Sequence, residues 1–312
     1  MHKFGFVFPG QGSQKLGMLG SLANDYSLIT DTFEEASDVL GLDLWEIAQH
    51  DSENNLDQTH ITQPVLLTAS VAIWRLWQQR SPVRPSVLAG HSLGEYSALV
   101  CADVLSLADA VTVVHQRGKF MQAAVPPGVG KMAAIVGLEN YQILEICDEA
   151  EKGEVVSAAN FNSPGQTVIA GDASAVERAI ILCKEAGAKR ALPLNVSVPS
   201  HCALMKPAAI ELEKILDETE FSAPSIAVVQ NVNGELVDSP GEIKLNLIKQ
   251  LYAPVLWVDC IDIISKKGVT KLVECGPGKV LSGLIKRIDS DIRCFGSDDT
   301  ASLNIAIGEM AT

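Results

Sequence analysis

The segment Gly90-His91-Ser92-Leu93-Gly94 has a spacing that suits nucleophilic chemistry. It follows the apolar run 86–89 and precedes residues 95–102, which have a helical composition. A G-x-S-x-G sequence between a strand and a helix is typical of a sharp turn that exposes the central serine, and its glycines avoid a clash between close backbones. The free N–H groups of the following helix could stabilise an oxyanion. The pattern favours Ser92 as a nucleophile over an ordinary strand-to-helix turn.

A serine hydroxyl is a weak nucleophile without a neighbouring base, so the histidines are the next candidates. His91 adjoins Ser92 in the chain and is expected to point away from it, His2 lies at the terminus, and His50 and His60 lie in polar, loop-like stretches. His201 follows an apolar, strand-like segment at a predicted domain junction, a common place for a catalytic group. We predict His201 as the base, with a purely structural histidine as the alternative.

Arg117 lies on a predicted helix over residues 106–123. Helical spacing puts it on an apolar face, with Ala110, Val113, Val114 and Met121. A guanidinium on such a face must reach water, pair with an acid or bind an anionic ligand. If Arg117 reaches a cleft beside Ser92, its planar fork would hold a carboxylate through two hydrogen bonds. The prediction is a substrate with a free carboxylate near its acyl carbon.

Composition narrows the class of protein. The chain has 312 residues, of which 47% are hydrophobic and 20% charged, and this balance supports a large buried core. The net charge of −14 argues against nucleic-acid binding. Seven cysteines without CxxC spacing make a disulfide framework or a zinc site improbable. Without a signal peptide or a membrane-spanning run, we expect a soluble cytoplasmic protein, as a monomer without metal or cofactor.

The order of predicted elements indicates two domains. Pro126-Pro127-Gly128 marks a boundary, and a β-α-β-β-α-β pattern follows over about 65 residues, as in ferredoxin-like domains. We predict a ferredoxin-like insertion at residues 128–197 within a large α/β domain formed by 1–127 and 198–312. The large domain includes the first strand, 4–8, a helix over 63–79 with Pro64 in its first turn, and a strand over 226–230. The last dozen residues show no clear pattern.

The loop Gly10-Gln11-Gly12 lacks the remaining residues of a nucleotide-binding loop but could supply oxyanion donors.

Six motifs together resemble the malonyl-CoA:acyl carrier protein transacylases of bacterial fatty-acid synthesis. They run in the same order and spacing from about residue 4 to 290 and comprise Pro9-Gly-Gln-Gly-Ser-Gln14, Gly90-His-Ser-Leu-Gly-Glu95, Gln116-Arg-Gly118, Asn160-Phe-Asn162, Val198-Pro-Ser-His201 and Glu274-Cys-Gly-Pro-Gly278.

The resemblance implies an α/β-hydrolase-like large domain with a parallel sheet and an inserted ferredoxin-like domain. It implies transfer of a malonyl group from malonyl-CoA to acyl carrier protein by a ping-pong mechanism. The implied roles are Ser92 as nucleophile, His201 as base oriented by the backbone carbonyl of Gln250, Gln11 and Leu93 as oxyanion donors through their N–H groups, Arg117 with Gln63 at the malonyl carboxylate, and Asn160 and Asn162 in substrate binding.

Three other functions remain open from the sequence. A serine esterase or thioesterase could use the same G-x-S-x-G, but it would need an acidic partner for His201 and has no use for Arg117. An inactive carrier-binding module and malonyl loading for polyketide synthesis are the others. Because the carrier is acidic, we also expect a local basic patch, with two candidate clusters: Lys184, Lys189 and Arg190, and Lys279, Lys286 and Arg287.

Overall fold

The computed structural model describes residues 3–196 and 198–311, and these residues form two β-sheets with helices packed around them. The strands are β1 (Phe4–Phe8), β2 (Val87–Gly90), β3 (Gly130–Val136), β4 (Val156–Ser163), β5 (Gln166–Asp172), β6 (Arg190–Pro193), β7 (Val228–Val229), β8 (Lys271–Glu274) and β9 (Arg293–Gly296).

The helices fill the connections between these strands. They are α1 (Gly20–Asp25), α2 (Leu28–Leu40), α3 (Leu44–Gln49), α4 (Thr59–Arg80), α5 (Gly94–Cys101), α6 (Leu107–Ala124), α7 (Asn140–Glu151), α8 (Ala173–Glu185), α9 (Lys206–Glu218), α10 (Pro240–Gln250), α11 (Trp257–Lys266), α12 (Val280–Ile288) and α13 (Thr300–Ala311).

The larger sheet is parallel, with the strand order β7-β2-β1-β8-β9. Its central strand β1 is buried along its whole length, as expected for a parallel sheet covered on both faces. On one face Phe6 makes edge-on contacts with Trp74 and Trp77 of α4. On the other face Val7 packs in a separate cluster with Trp257 of α11.

The smaller sheet is antiparallel, with the strand order β4-β5-β3-β6. Helices α7 and α8 cover it, and Ile143 and Val176 pack against Ile135 of β3. Together with the β-α-β-β-α-β sequence order, this strand order is ferredoxin-like. The predicted fold class, a large α/β domain with a parallel sheet and a separate ferredoxin-like domain, is confirmed.

Main-chain hydrogen bonds join the large domain to the small domain in the middle of β4. Val255 of the large domain forms a bridge with Asn160, donating its N–H to the Ala159 carbonyl and accepting from the Phe161 N–H, both at 2.9 Å. The smaller sheet spans residues 130–193, inside the insertion predicted at 128–197. Residues 1, 2, 197 and 312, which include His2 and the predicted boundary at 197, lie outside the described residues.

Helix α4 begins at Thr59, four residues before the predicted start, so Pro64 lies inside the helix and not in its first turn. That prediction, and the loop assigned to His60, were wrong. A proline lacks the N–H that would bond the carbonyl four residues earlier. Here the carbonyl of His60 accepts a hydrogen bond from His115 Nδ1 of α6 at 2.7 Å instead. A partner from a distant helix therefore compensates for the proline.

Two further predictions differ from the structure. Strand β7 has only two residues, Val228 and Val229, against the predicted 226–230. The chain end, which carried no clear pattern, forms α13, and this helix packs Leu303, Ala306 and Met310 into the core of the large domain. Among the described residues, no helix combines the length and the apolarity needed to cross a bilayer.

Candidate active site

The turn between β2 and α5 holds Ser92 in the left-handed backbone region, with a φ of +52°. This conformation costs a residue with a side chain about 1–2 kcal/mol. The two flanking glycines are required by close packing: a Cβ on Gly94 would lie 2.0 Å from the carbonyl oxygen of Phe8, and one on Gly90 would lie 1.9 Å from the carbonyl of Gly94. The turn is thus pressed against β1, and Ser92 lines a cavity.

Ser92, His201 and Gln250 form a hydrogen-bonded chain. Ser92 Oγ lies 2.8 Å from His201 Nε2, and His201 Nδ1 lies 2.6 Å from the backbone carbonyl oxygen of Gln250. Gln250 is the last residue of α10, where helix carbonyls lack intrahelical partners. Because a carbonyl only accepts, Nδ1 carries the proton and Nε2 is left to receive one from the serine hydroxyl. The three residues have the geometry of a nucleophile, a base and the group that orients the base.

The protonation state of His201 suits a base. The imidazole is buried, and this burial, with a contribution from the Arg117 charge, lowers the pKa of His201 to about 3. The ring is therefore uncharged at neutral pH and able to accept a proton. Its backbone φ of +64° is also in the left-handed region, so both reacting groups are held by strained residues.

Arg117 is 1% exposed and is fixed by two glutamines. Its Nη1 donates to Gln63 Oε1 at 2.8 Å and its Nη2 to Gln250 Oε1 at 2.9 Å, while the guanidinium lies 5.5 Å from the centre of the Tyr96 ring. Its Nε has no hydrogen-bond partner within 3–196 and 198–311. Arg117 lines the same cavity as Ser92, whereas Gln63 lies behind Arg117 and outside that wall. A buried cation with spare donor capacity beside a nucleophile suits a carboxylate on the acyl group.

The cavity has a volume of about 310 Å³. Its lining includes Gln11 and Leu93, whose backbone N–H groups donate to no acceptor within the part of the chain that the structure describes. Two free N–H groups from residues that line the same cavity as a nucleophilic serine can stabilise an oxyanion. The exposed residues that line the cavity are of mixed character: Leu194 and Val280 are apolar, whereas Asp57 and Asn195 are polar.

Known proteins resemble the chain over almost its whole length. Residues 5–250 match the acyl transferase domain family. A malonyl CoA-acyl carrier protein transacylase of Haemophilus influenzae is 55% identical over 305 residues, which cover 97% of this chain and 98% of the relative. The transacylase of the same name from Escherichia coli K12 is 53% identical over 307 residues, covering 98% of this chain and 99% of the relative. The chain belongs to the malonyl CoA-acyl carrier protein transacylase family.

Solved structures of the family share the whole fold. An acyl carrier protein S-malonyltransferase from Vibrio cholerae superposes with a TM-score of 0.95 at 59% identity, covering 97% of this chain and 99% of the other. A malonyl-transacylase in complex with a type II PKS acyl carrier protein superposes with a TM-score of 0.97 at 54% identity, covering 98% and 99%. The resemblance inferred from the six motifs is therefore confirmed for the family.

Two predicted residues of this family member lie on the small domain. Asn160 and Asn162 of β4 line the cavity opposite Ser92. Asn162 Oδ1 lies 2.8 Å from Nε2 of His91, which directs the His91 ring away from Ser92 and ties the nucleophile turn to the small domain. The amide of Asn162 is thus already engaged, while Asn160 is the freer of the two for a ligand. Their contact with substrate stays a prediction.

The sequence reasoning missed two buried residues in the transacylase site. Glu95 Oε2 accepts from Gln250 Nε2 at 2.8 Å and from the backbone N–H of Asn231 at 3.1 Å. Burial raises the pKa of Glu95 to about 7, against the opposing effects of these two hydrogen bonds and of Arg117. An acid directly after G-x-S-x-G was a visible signal for Glu95, whereas nothing in the sequence distinguished Asn231.

The remaining predictions concern the periphery of the site. All six basic residues of the two predicted clusters are exposed. Lys279, Lys286 and Arg287 belong to or adjoin α12, whose Val280, Leu281 and Leu284 line the cavity, so this cluster is placed nearer the entrance. No group of three or more His, Cys, Asp or Glu among the described residues could hold a metal ion.

Proposed function

We propose that this chain transfers a malonyl group from malonyl-CoA to the phosphopantetheine thiol of acyl carrier protein, through a malonyl ester on Ser92. The observation that carries this proposal is that the 2.8 Å Ser92–His201 pair and the buried Arg117 line one cavity. The pair supplies nucleophile and base, and the guanidinium supplies recognition of a carboxylated acyl group. Family membership agrees with both parts.

In the first half-reaction, His201 Nε2 takes the proton of Ser92 Oγ as this oxygen attacks the thioester carbonyl. The tetrahedral oxyanion is held by the N–H groups of Gln11 and Leu93. As the intermediate collapses, the carbon–sulfur bond breaks and protonated His201 gives its proton to the departing CoA thiolate. The products are free CoA and malonyl-Ser92.

In the second half-reaction, the carrier thiol enters the cavity vacated by CoA. His201 takes the thiol proton, the sulfur attacks the ester carbonyl, and the serine oxygen leaves with that same proton. Exchange of one thioester for another is nearly isoenergetic, so we propose that no cofactor is required. Arg117 keeps its hold on the malonyl carboxylate through both halves, which fixes the ester for attack.

Intact-mass analysis after brief incubation with malonyl-CoA or acetyl-CoA tests this proposal. We expect a malonyl adduct on the wild type, no adduct on Ser92→Ala, and little adduct from acetyl-CoA. Arg117→Ala should lose the preference for malonyl over acetyl. Equal loss of both acyl groups in Arg117→Ala would contradict the carboxylate role, and free malonate without an adduct would favour a hydrolase.

A hydrolase with this serine turn would be expected to orient its histidine with a carboxylate, whereas His201 is oriented by the Gln250 carbonyl. Loading of a polyketide carrier would use the same chemistry as the proposed reaction, and kinetics against carriers of each pathway would separate the two.

We also propose a cytoplasmic monomer, for which light scattering after size-exclusion chromatography tests the oligomeric state.

A further inference from the structure

Strand β7 stops pairing with β2 just before the nucleophile turn. The parallel register aligns Leu88 with Val228 and Ala89 with Val229, so continuation would align His91 with Asn231. In such a ladder, the main chain of residue 231 would donate its N–H to the Gly90 carbonyl and accept from the Ser92 N–H. The two main-chain hydrogen bonds that β7 does not make would involve Gly90 and Ser92, the residues that shape the turn.

The side chain of Asn231 makes these two bonds instead. Its Nδ2 donates to the Gly90 carbonyl at 2.7 Å, and its Oδ1 accepts from the Ser92 N–H at 2.8 Å. A carboxamide has the same donor and acceptor groups as a peptide unit, so it can replace one link of a ladder. The two partners also fix which end of the amide is oxygen and which is nitrogen.

The main chain of Asn231 is committed elsewhere, which is why it cannot continue the ladder. Its N–H donates to Glu95 Oε2 at 3.1 Å, and its carbonyl accepts from the Leu256 N–H at 2.9 Å. Glu95 Oε2 also accepts from Gln250 Nε2, which in turn donates to the Ser92 carbonyl at 3.0 Å. The N–H and the C=O of Ser92 are therefore each bound by a buried carboxamide.

We propose that Asn231 is a positioning residue that holds Ser92 in its left-handed conformation and thereby keeps Ser92 Oγ at hydrogen-bond distance from His201. A residue keeps a strained φ, such as that of Ser92, only where neighbouring groups hold its backbone in place. The Asn231 amide makes two of the hydrogen bonds that do so. Glu95 orients Asn231 and Gln250 together. This inference rests on the proposed role of Ser92 as nucleophile.

The test compares Asn231→Ala and Asn231→Asp with the matched controls Asn233→Ala and Asn233→Asp. Asn233 is half-buried two residues away, and its Oδ1 accepts from the Glu235 N–H, outside the serine turn. Two rates are measured for each protein: labelling of Ser92 by phenylmethanesulfonyl fluoride, which has no carboxylate, and single-turnover acylation by malonyl-CoA. Thermal melting reports folding.

We expect Asn231→Ala to slow both rates about a hundredfold, because a displaced serine affects every acylating reagent alike. The Asn233 variants should react as the wild type does. A folded Asn231→Ala within about threefold of the wild type in both rates would overturn the proposal.

In Asn231→Asp, the measured quantity is the pH dependence of the rate relative to the wild type, which would not change if Asn231 only stabilised the fold. The neutral acid can still donate to the Gly90 carbonyl, whereas the carboxylate places an acceptor against it. The rate relative to wild type should therefore fall at least about tenfold between about pH 6 and about pH 9.5. The other groups that titrate or carry charge at this turn are Glu95, Arg117, His201 and His91. Because a carboxylate at position 231 would shift the pKa of the adjacent Glu95, the ratio is also measured in the Glu95→Gln background.

If Asn231→Ala does not fold, the pH dependence of Asn231→Asp tests the proposal instead. A rate ratio that stays within about threefold of one over this pH range would overturn the proposal, because neither form of the acid would then disturb Ser92. Failure of the proposed function is distinguishable: a wild type that is labelled by the sulfonyl fluoride but gives no malonyl adduct would remove the transfer reaction and leave the test of Asn231 intact.

Discussion

The nucleophile turn and the small antiparallel sheet are stabilised by opposite means. In the small sheet, β3 pairs with β5 over seven consecutive residues, and an apolar cluster that includes Ile135 and Val176 packs beneath them. In the turn, a strained serine is held by the buried side chains of Asn231 and Gln250, which come from distant segments, and Glu95 orients both of them. The sheet is stabilised by many equivalent main-chain hydrogen bonds, whereas the turn depends on a few side-chain hydrogen bonds that differ from one another. Changes in the sheet should therefore affect folding, and changes around the turn should affect chemistry.

The largest effect is expected at the base. His201→Ala should lower the single-turnover acylation of Ser92 about 10⁴-fold, because the serine proton then has no acceptor. The melting temperature should change far less than the rate, since the His201 side chain lines the cavity. Rapid-quench mass spectrometry measures the rate, and an acylation rate within about tenfold of the wild type would refute the assignment of His201 as base.

The converse is expected in the small sheet. Ile135→Ala removes a fully buried side chain and should lower the free energy of unfolding by about 2–5 kcal/mol. Acylation per folded molecule should stay unchanged. Ile181→Ala on α8, where the side chain is 56% exposed, is the control and should change stability by less than about 0.5 kcal/mol. A loss of catalysis in folded Ile135→Ala would show that the two regions are coupled.

A pH profile sharpens the comparison further. With the pKa of His201 lowered to about 3, the base stays unprotonated as the pH falls from 7 to 5, so kcat/KM of Glu95→Gln, which lacks the nearby titrating carboxyl, should drop less than about threefold. An imidazole with the ordinary pKa of about 6.5 would lose about thirtyfold. Titration of Glu95, with its pKa near 7, can add a second pH-dependent change in kcat/KM to the profile. The Glu95→Gln variant should lack this change. A limb near pH 6.5 that persists in Glu95→Gln would contradict a buried, uncharged His201.

The smallest effect concerns the surface beside the cavity. Paired charge reversal in α12, Lys286→Glu with Arg287→Glu, should raise the KM for acyl carrier protein about threefold to tenfold, because an acidic carrier would be repelled. Lys214→Glu on α9 is the control, since this exposed lysine pairs with Glu211 on its own helix. Steady-state kinetics with varied carrier concentration measure the effect, and an unchanged KM would remove this cluster from the docking surface.

The same contrast explains what could be predicted from the sequence. The small domain follows from local alternation and turn residues, so its six elements appear in the predicted β-α-β-β-α-β order. Ser92, His201 and Arg117 were accessible because motif and helical spacing mark them. The bond between Asn231 and Ser92 spans 139 residues and depends on the register of a two-residue strand, which local patterns do not encode. The early start of α4 was missed because the carbonyl freed by Pro64 is satisfied by His115, a contact that only the fold creates.

The hydrogen bond from His201 to a neutral carbonyl has a consequence for what the acyl-enzyme reacts with. A carboxylate in that place would stabilise the imidazolium and strengthen the base, whereas a carbonyl stabilises it less. A thiol with a pKa of about 8.5 still surrenders its proton readily, but water, with a pKa of about 15.7, demands far more from the base. The Ser92 hydroxyl is about as weak an acid as water, but it is held 2.8 Å from His201, whereas a water molecule entering the cavity has no such fixed position. We therefore expect the thiol to outcompete water at the acyl-enzyme, so that the enzyme can wait for its carrier without losing its cargo to the solvent.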